Sequence, residues 1–295
     1  MAPDEIAWVA VYRSPDEKEC RDRALVLQAA GIEHGIGHDE GEVFIWVSSA
    51  DADRGRGELA AYANENADQP VVRLAVPRRS DGWIGVYGYT AVLLIVGIFA
   101  QRHVFDVDWF QVGKTNALLI RQGEWWRTLT ALTLHADLAH ILSNLIIGGI
   151  VGYFAGQSLG AGLAWSGTLA AAAFANFLNA CIRPPEHSSI GASTAVFAAL
   201  GMLAGNAWRK RRTILSSRLE RWTPFVAGVV LLSFLGTGGP RTDVGSHVLG
   251  FLCGAAAGPV CGKLAEGGAS TSQTQFWCGL ATLVALAAAW GFALA

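Results

Sequence analysis

Gly191-Ala-Ser-Thr-Ala-Val-Phe-Ala-Ala-Leu-Gly201, written GASTAVFAALG, lies in a segment apolar enough to cross a membrane and carries a serine near its start. Two readings of Ser193 follow. In the first, the hydroxyl bonds a carbonyl of its own helix, and Gly191, Ala195 and Ala199 form a small-residue face for a neighbouring helix. In the second, the serine performs chemistry. Either reading makes the stretch part of a membrane helix, so the fold is decided by how many more such segments surround it.

Composition agrees with a polytopic membrane protein. Of 295 residues, 52% are hydrophobic and 16% are charged, and the mean hydropathy is positive. A net charge of −2 offers no general basic surface for nucleic acid. Five cysteines, Cys20, Cys181, Cys253, Cys261 and Cys278, are odd in number and lack CxxC spacing. Neither a disulfide framework nor a zinc site is indicated, and no metal or organic cofactor is implied. Charges run through the first thirty residues, so no cleavable signal peptide is expected.

A spanning helix needs about 20 mostly apolar residues. Seven such spans are expected, near 83–100, 134–154, 159–182, 190–207, 223–238, 245–262 and 276–294. Lys and Arg collect before the first (Arg78, Arg79), after the fourth (Arg209-Lys-Arg-Arg212, Arg218, Arg221) and after the sixth (Lys263). With seven spans these places share one side, which the positive-inside rule makes cytoplasmic. Arg102, Lys114, Arg121 and Arg127, between the first two spans, run against that count, and the basic loop after span four decides it.

The chain divides into a polar N-terminal domain over 1–76, a six-span core over 77–265, and a linker with a seventh span over 266–295. In the first, Ile6–Tyr12 reads as a strand. Ser14-Pro15-Asp16-Glu17 reads as an N-cap serine, first-turn proline and capping-box glutamate, and Gly31 as the residue ending that helix. Val43–Ser48 is a strand, 51–66 a helix and Val71–Val76 a strand, suggesting a ferredoxin-like βαββαβ unit. It holds no glycine loop and no paired carboxylates beside a histidine.

Polar groups inside spans are costly and mark function. Here they are His135, His140 and Asn144 in the second span, Asn176 and Asn179 in the third, Ser193 in the fourth and His247 in the sixth. His140, Asn144, Ser193 and His247 all lie in the outer halves of even-numbered spans, so they share one depth. A serine becomes a nucleophile when a base takes its proton, and histidine suits that role near neutral pH. His247 is that base, giving a Ser–His dyad, because no acidic residue lies near these histidines within the spans and Asp243 is in a loop. The Asn144 amide, the His140 imidazole and the Ser193 N–H are candidate oxyanion donors. Phe197, one turn below Ser193, is placed to pack on the His247 ring.

Gly191-Ala-Ser193 with Phe197 matches GxSxxxF, and His247-Val-Leu-Gly250-Phe-Leu-Cys-Gly254 matches HxxGxxxG. His135, His140 and Asn144 match HxxxxHxxxN, and Glu124-Trp125-Trp126-Arg127 carries a WR motif. In these motifs and their order the chain resembles the rhomboid intramembrane serine proteases over roughly 83–262. The resemblance implies an all-α six-helix membrane core, here with a seventh helix added. It implies Ser193 as nucleophile, His247 as base, His140 and Asn144 on the oxyanion side, and Gly191, Phe197, Gly250, Trp126 and Arg127 in support. Thr194 and Ser246 stand where many members have glycine and alanine. Further implications are single-pass transmembrane substrates within a lipid bilayer and a multi-pass place in a bacterial inner membrane with the N-terminus cytoplasmic. The alternative is an inactive rhomboid-like protein that binds transmembrane helices. A transporter is disfavoured, since the spans show no inverted repeat and no mid-membrane charges.

Overall fold

The computed structural model describes residues 7–39, 41–67, 82–214, 218–235, 242–267 and 271–295. Contacts divide the chain into two compact units, Met1–Leu74 and Ala75–Ala295.

The first unit runs β1 (Trp8–Ser14), α1 (Glu17–Ala29), β2 (His34–Asp39), β3 (Glu42–Ser48), α2 (Ala52–Ala67). β3 is the central strand, antiparallel to both β1 and β2. Its alternating Val43, Ile45 and Val47 are buried against Cys20, Ala24 and Leu27 of α1 and Leu59 of α2, the period-2 pattern of a half-covered sheet. α1 differs from the sequence reading at its start. Asp16 is the N-cap, its carboxylate accepting from Lys18 N, while Ser14 Oγ accepts from Asp16 N and donates to Glu19. Its end matches the reading: Gly31 has φ +69°, with Gly31 N donating to Gln28 O and Ile32 N to Leu27 O, a Schellman closure. The strand expected at 71–76 lies outside the described residues.

The second unit is helical. Its elements are α3 (Gly82–Gln101), three short helices α4 (Trp109–Gly113), α5 (Ala117–Arg121) and α6 (Arg127–Thr130), then α7 (Leu138–Leu159), α8 (Ala161–Ile182), α9 (Ser193–Ile214), α10 (Arg218–Leu235), α11 (Val244–Glu266) and α12 (Ser272–Leu294). Five of them, α3, α7, α8, α11 and α12, are long and apolar enough among the described residues to span a bilayer. Of the seven spans expected, the fourth and fifth correspond to α9 and α10, which carry Arg209–Arg212 and the Arg218–Arg221 turn inside the helix. The second span begins later than expected: residues 131–133 form a 3₁₀ turn and His135 precedes α7.

α9 and α11 pack backbone against backbone along several turns. A Cβ on Gly201 or Gly205 would lie 2.0 or 2.2 Å from a carbonyl of α11, and one on Gly254 or Gly258 would lie 1.9 or 2.2 Å from a carbonyl of α9. Backbones approach this closely only where side chains are absent. Ala198 and Met202, not Ala195 and Ala199, present the α9 carbonyls at this seam. At the far end α12 is held twice. Gln275 Oε1 accepts from Leu163 N at 3.0 Å and its Nε2 donates to Leu159 O at 3.3 Å, while Trp290 Nε1 donates to Thr133 Oγ1 at 3.1 Å and its ring tilts on Trp109.

Candidate active site

Ser193 is the first residue of α9, and the turn before it is fixed from several sides. Gly191 has φ +130°, a conformation that residues bearing a Cβ rarely adopt. Its N–H donates to Ala131 O at 2.9 Å, and the next N–H, Ala192, donates to His135 Nε2 at 3.3 Å. His135 must therefore be unprotonated on Nε2, and burial, with His140 adding, holds its pKa down at about 4. The first loop is laced to the same segment. Thr115 N donates to Ser189 O, Ser189 N to Thr115 Oγ1, Ala117 N to His187 O and Leu118 N to Pro185 O.

Across from this turn the α9–α11 seam presents His247. Gly250, one turn along α11, leaves room for the Thr194 carbonyl, from which a Cβ would be 2.5 Å away. That closeness brings His247 Nε2 to 2.8 Å from Ser193 Oγ, hydrogen-bond distance for a base and the hydroxyl it would activate. The Phe197 ring lies 4.6 Å from the imidazole, centroid to centroid, tilted by 40°. His247, Phe197 and Thr194 are buried, as is Ser246, whose hydroxyl donates to Asp243 O.

These groups line a cleft of about 860 Å³ that also takes in His140, Ser143, Asn144, Asn176, His187 and Asp243. His140 faces Gly191: a Cβ there would sit 2.7 Å from His140 Nε2 and 3.6 Å from Ser193 Oγ. Asn144 is buried, its Nδ2 donating to His140 O at 3.0 Å, and its own carbonyl accepts from Tyr89 Oη at 2.9 Å. Of the residues singled out in the sequence, Ser193, His247, His140, Asn144, Gly191 and Phe197 meet in the cleft. Trp126 and Arg127 do not. Arg127 is buried beneath the first loop, donating to Gln111 O, Lys114 O and Glu124, and Trp126 stacks on Phe292 of α12.

Asp243, read from the sequence as a loop residue, is the N-cap of α11. Its carboxylate accepts from Asn179 Nδ2 at 2.7 Å, Arg183 Nη2 at 3.2 Å and Ser246 N at 3.2 Å, and lies 2.9 Å from His187 Nε2. Burial by itself would raise this carboxyl, but His187, the Ser246 amide and Asn179 together hold it below the ordinary aspartate value. Apart from Ser246 these partners are 56 to 64 residues away in sequence, so only the aspartate preceding a helix was visible beforehand.

The geometry at Gly191 yields a test. Gly191→Ala is expected to slow covalent labelling of Ser193 by roughly a hundredfold, because it strains the turn and drives a methyl into His140. Timed labelling of wild type and variant checks it, and equal rates would mean the turn tolerates a side chain.

Comparison with known proteins covers this same segment. The Rhomboid domain model matches residues 122–264. The chain is 32% identical over 158 residues to Rhomboid-like protease 1 of Toxoplasma gondii, covering 51% of this chain and 52% of that protein. It is 30% identical over 142 residues to Rhomboid protease GluP of Bacillus subtilis (strain 168), covering 48% and 27%. With RHOMBOID-like protein 7 of Arabidopsis thaliana the identity is 29% over 146 residues, covering 46% and 42%. The chain spans about half the length, or less, of these relatives. Every cleft residue considered so far except Thr115 falls within the matched residues. With its apolar helices, the chain is a multi-pass membrane protein whose residues 122–264 match the Rhomboid domain.

Proposed function

We propose that the protein is an intramembrane serine endopeptidase that hydrolyses peptide bonds in or near the transmembrane segments of single-span proteins. The observation that carries this reading is the 2.8 Å approach of His247 Nε2 to Ser193 Oγ inside a polar cleft. His247 takes the serine proton as Oγ attacks the scissile carbonyl, and returns it to the leaving amine. The oxyanion meets the Ser193 N–H at the start of α9, where first-turn amides have no intrahelical acceptor and the helix dipole favours negative charge. His140 and Asn144 line the same cleft and are assigned to the oxyanion side. Asn144 must then turn its amide away from His140 O. A substrate helix unwinds locally to expose its bond, since helical peptide bonds are shielded by their own side chains. The basic residues at the end of α9 support the reading that residues 1–76 are cytoplasmic.

The polarity of the cleft favours this over a helix-binding member without activity. A fluorophosphonate probe separates the two. Wild-type protein in detergent is expected to carry one adduct, mapped to the peptide containing Ser193, and His247→Ala to carry none. An unlabelled wild type would point to the inactive binder.

A further inference from the structure

The hydrogen bonds around Asp243 have a use beyond capping a helix. Three segments converge on its carboxylate: the end of α8 through Asn179 and Arg183, the loop leading into Ser193 through His187, and the first turn of α11 through the Ser246 amide. The Asp243 side chain is 7% exposed, against 38% for Arg183 and 25% for His187, so the carboxylate is enclosed by the segments that it joins. One turn further along α11 is His247, whose N–H donates to Asp243 O at 3.3 Å. Four residues beyond His187 is Gly191, and then Ser193.

Resting on the dyad reading above, we infer that Asp243 is a positioning residue, which with His187 clamps the loop carrying Ser193 to the helix carrying His247 and so sets their approach. Two networks otherwise hold these halves. The loop is tied to the first loop through Thr115 and Ala117, and α11 is tied to α9 through the glycine seam. Asp243 joins the one to the other within the cleft itself. A carboxylate accepting several charged or polar donors holds them more firmly than neutral bonds do. The clamp therefore holds the dyad distance against opening of the cleft when a substrate enters.

The test uses the full-length protein in nanodiscs, with Asp243→Asn, which remains a good N-cap, His187→Leu, and His187→Gln, which keeps an N–H donor. Amide hydrogen exchange is read in 185–192 and 244–250, beside the rate of fluorophosphonate labelling. Asp243→Asn and His187→Leu are each expected to speed exchange in both segments together, with the thermal midpoint unchanged. Labelling should slow about tenfold, the size of one lost charge-assisted hydrogen bond. The double variant should be no slower than either single one, and His187→Gln should recover most of the rate. Exchange unchanged in 185–192 for Asp243→Asn would overturn the clamp, and this holds even if wild type failed to label and the dyad reading fell. Faster exchange with an undiminished labelling rate would overturn the positioning role, as would single effects that simply add.

Discussion

Ser193→Ala is expected to reduce cleavage of a tagged single-span reporter by about 10⁴-fold or more, to the floor of the assay. In the proposed mechanism the 2.8 Å contact makes Ser193 Oγ and His247 Nε2 act as one chemical unit. Removing either member leaves only whatever the oxyanion donors and substrate binding achieve. His247→Ala should therefore cost as much as Ser193→Ala, and the double variant no more than either, because residues acting as a unit are not additive. Neither change touches the seam glycines or the first-loop lacing, so the thermal midpoints should stay near wild type. The measurement is reporter turnover by purified protein, all four forms side by side with their unfolding curves. Undiminished cleavage by Ser193→Ala would remove the serine from the mechanism. A loss that followed the unfolding midpoint would make it a packing residue.

Why was this pair visible in the sequence at all? Apolar spans leave few polar side chains to choose among, and an unpaired imidazole at membrane depth is costly, so His247 demanded a partner. Equal depth in alternate spans pointed to Ser193, 54 residues away. The same argument could not reach Asp243, which sits at a helix end where an aspartate needs no special explanation. Trp126 and Arg127 came instead from the motif resemblance, which gave them a supporting role and no place in the cleft: Arg127 donates to the first-loop carbonyls of Gln111 and Lys114, and Trp126 stacks on Phe292.

Element limits were less legible for local reasons. Arg209–Arg212 was read as a loop because it is charged, yet arginine and lysine are good helix formers and α9 continues through them. β2, HGIGHD, lacks a strand signal because of Gly35 and Gly37. The structure gives Gly37 a reason: a Cβ there would be 2.9 Å from Trp46 Nε1, so the indole of β3 lies across it. Along α9, the spacing of Gly191, Ala195 and Ala199 marked a small-residue face, and Ala195 packs against a cluster holding Ala171 and Ala172 of α8. It did not mark the face that meets α11, where the close approach falls at Gly201 and Gly205. Small residues surround α9 on several sides, and spacing alone does not say which side meets another backbone.

Gly254→Ala is the strongest expected effect on the fold. The added methyl would lie 1.9 Å from the carbonyl oxygen of Ala198 and 2.7 Å from its carbon. These are backbone atoms of a helix that is itself held by Gly201 and Gly205 against Phe251 and Ala255, so no rotamer change relieves the clash. α9 and α11 have to separate, and with them Ser193 and His247. The cost belongs at or above the upper end of overpacking, about 3 kcal/mol, and should appear as a large fall in the thermal midpoint together with loss of Ser193 labelling. Gly291→Ala in α12 is the control: a Cβ there meets nothing within 4 Å, and alanine is the better helix former by roughly 1 kcal/mol. That variant should keep wild-type labelling and unfold no earlier. If both glycines tolerated alanine equally, the seam would not be what brings the serine to the histidine. The first loop, through Gly191 and Ala192, would then have to hold Ser193 in place by itself.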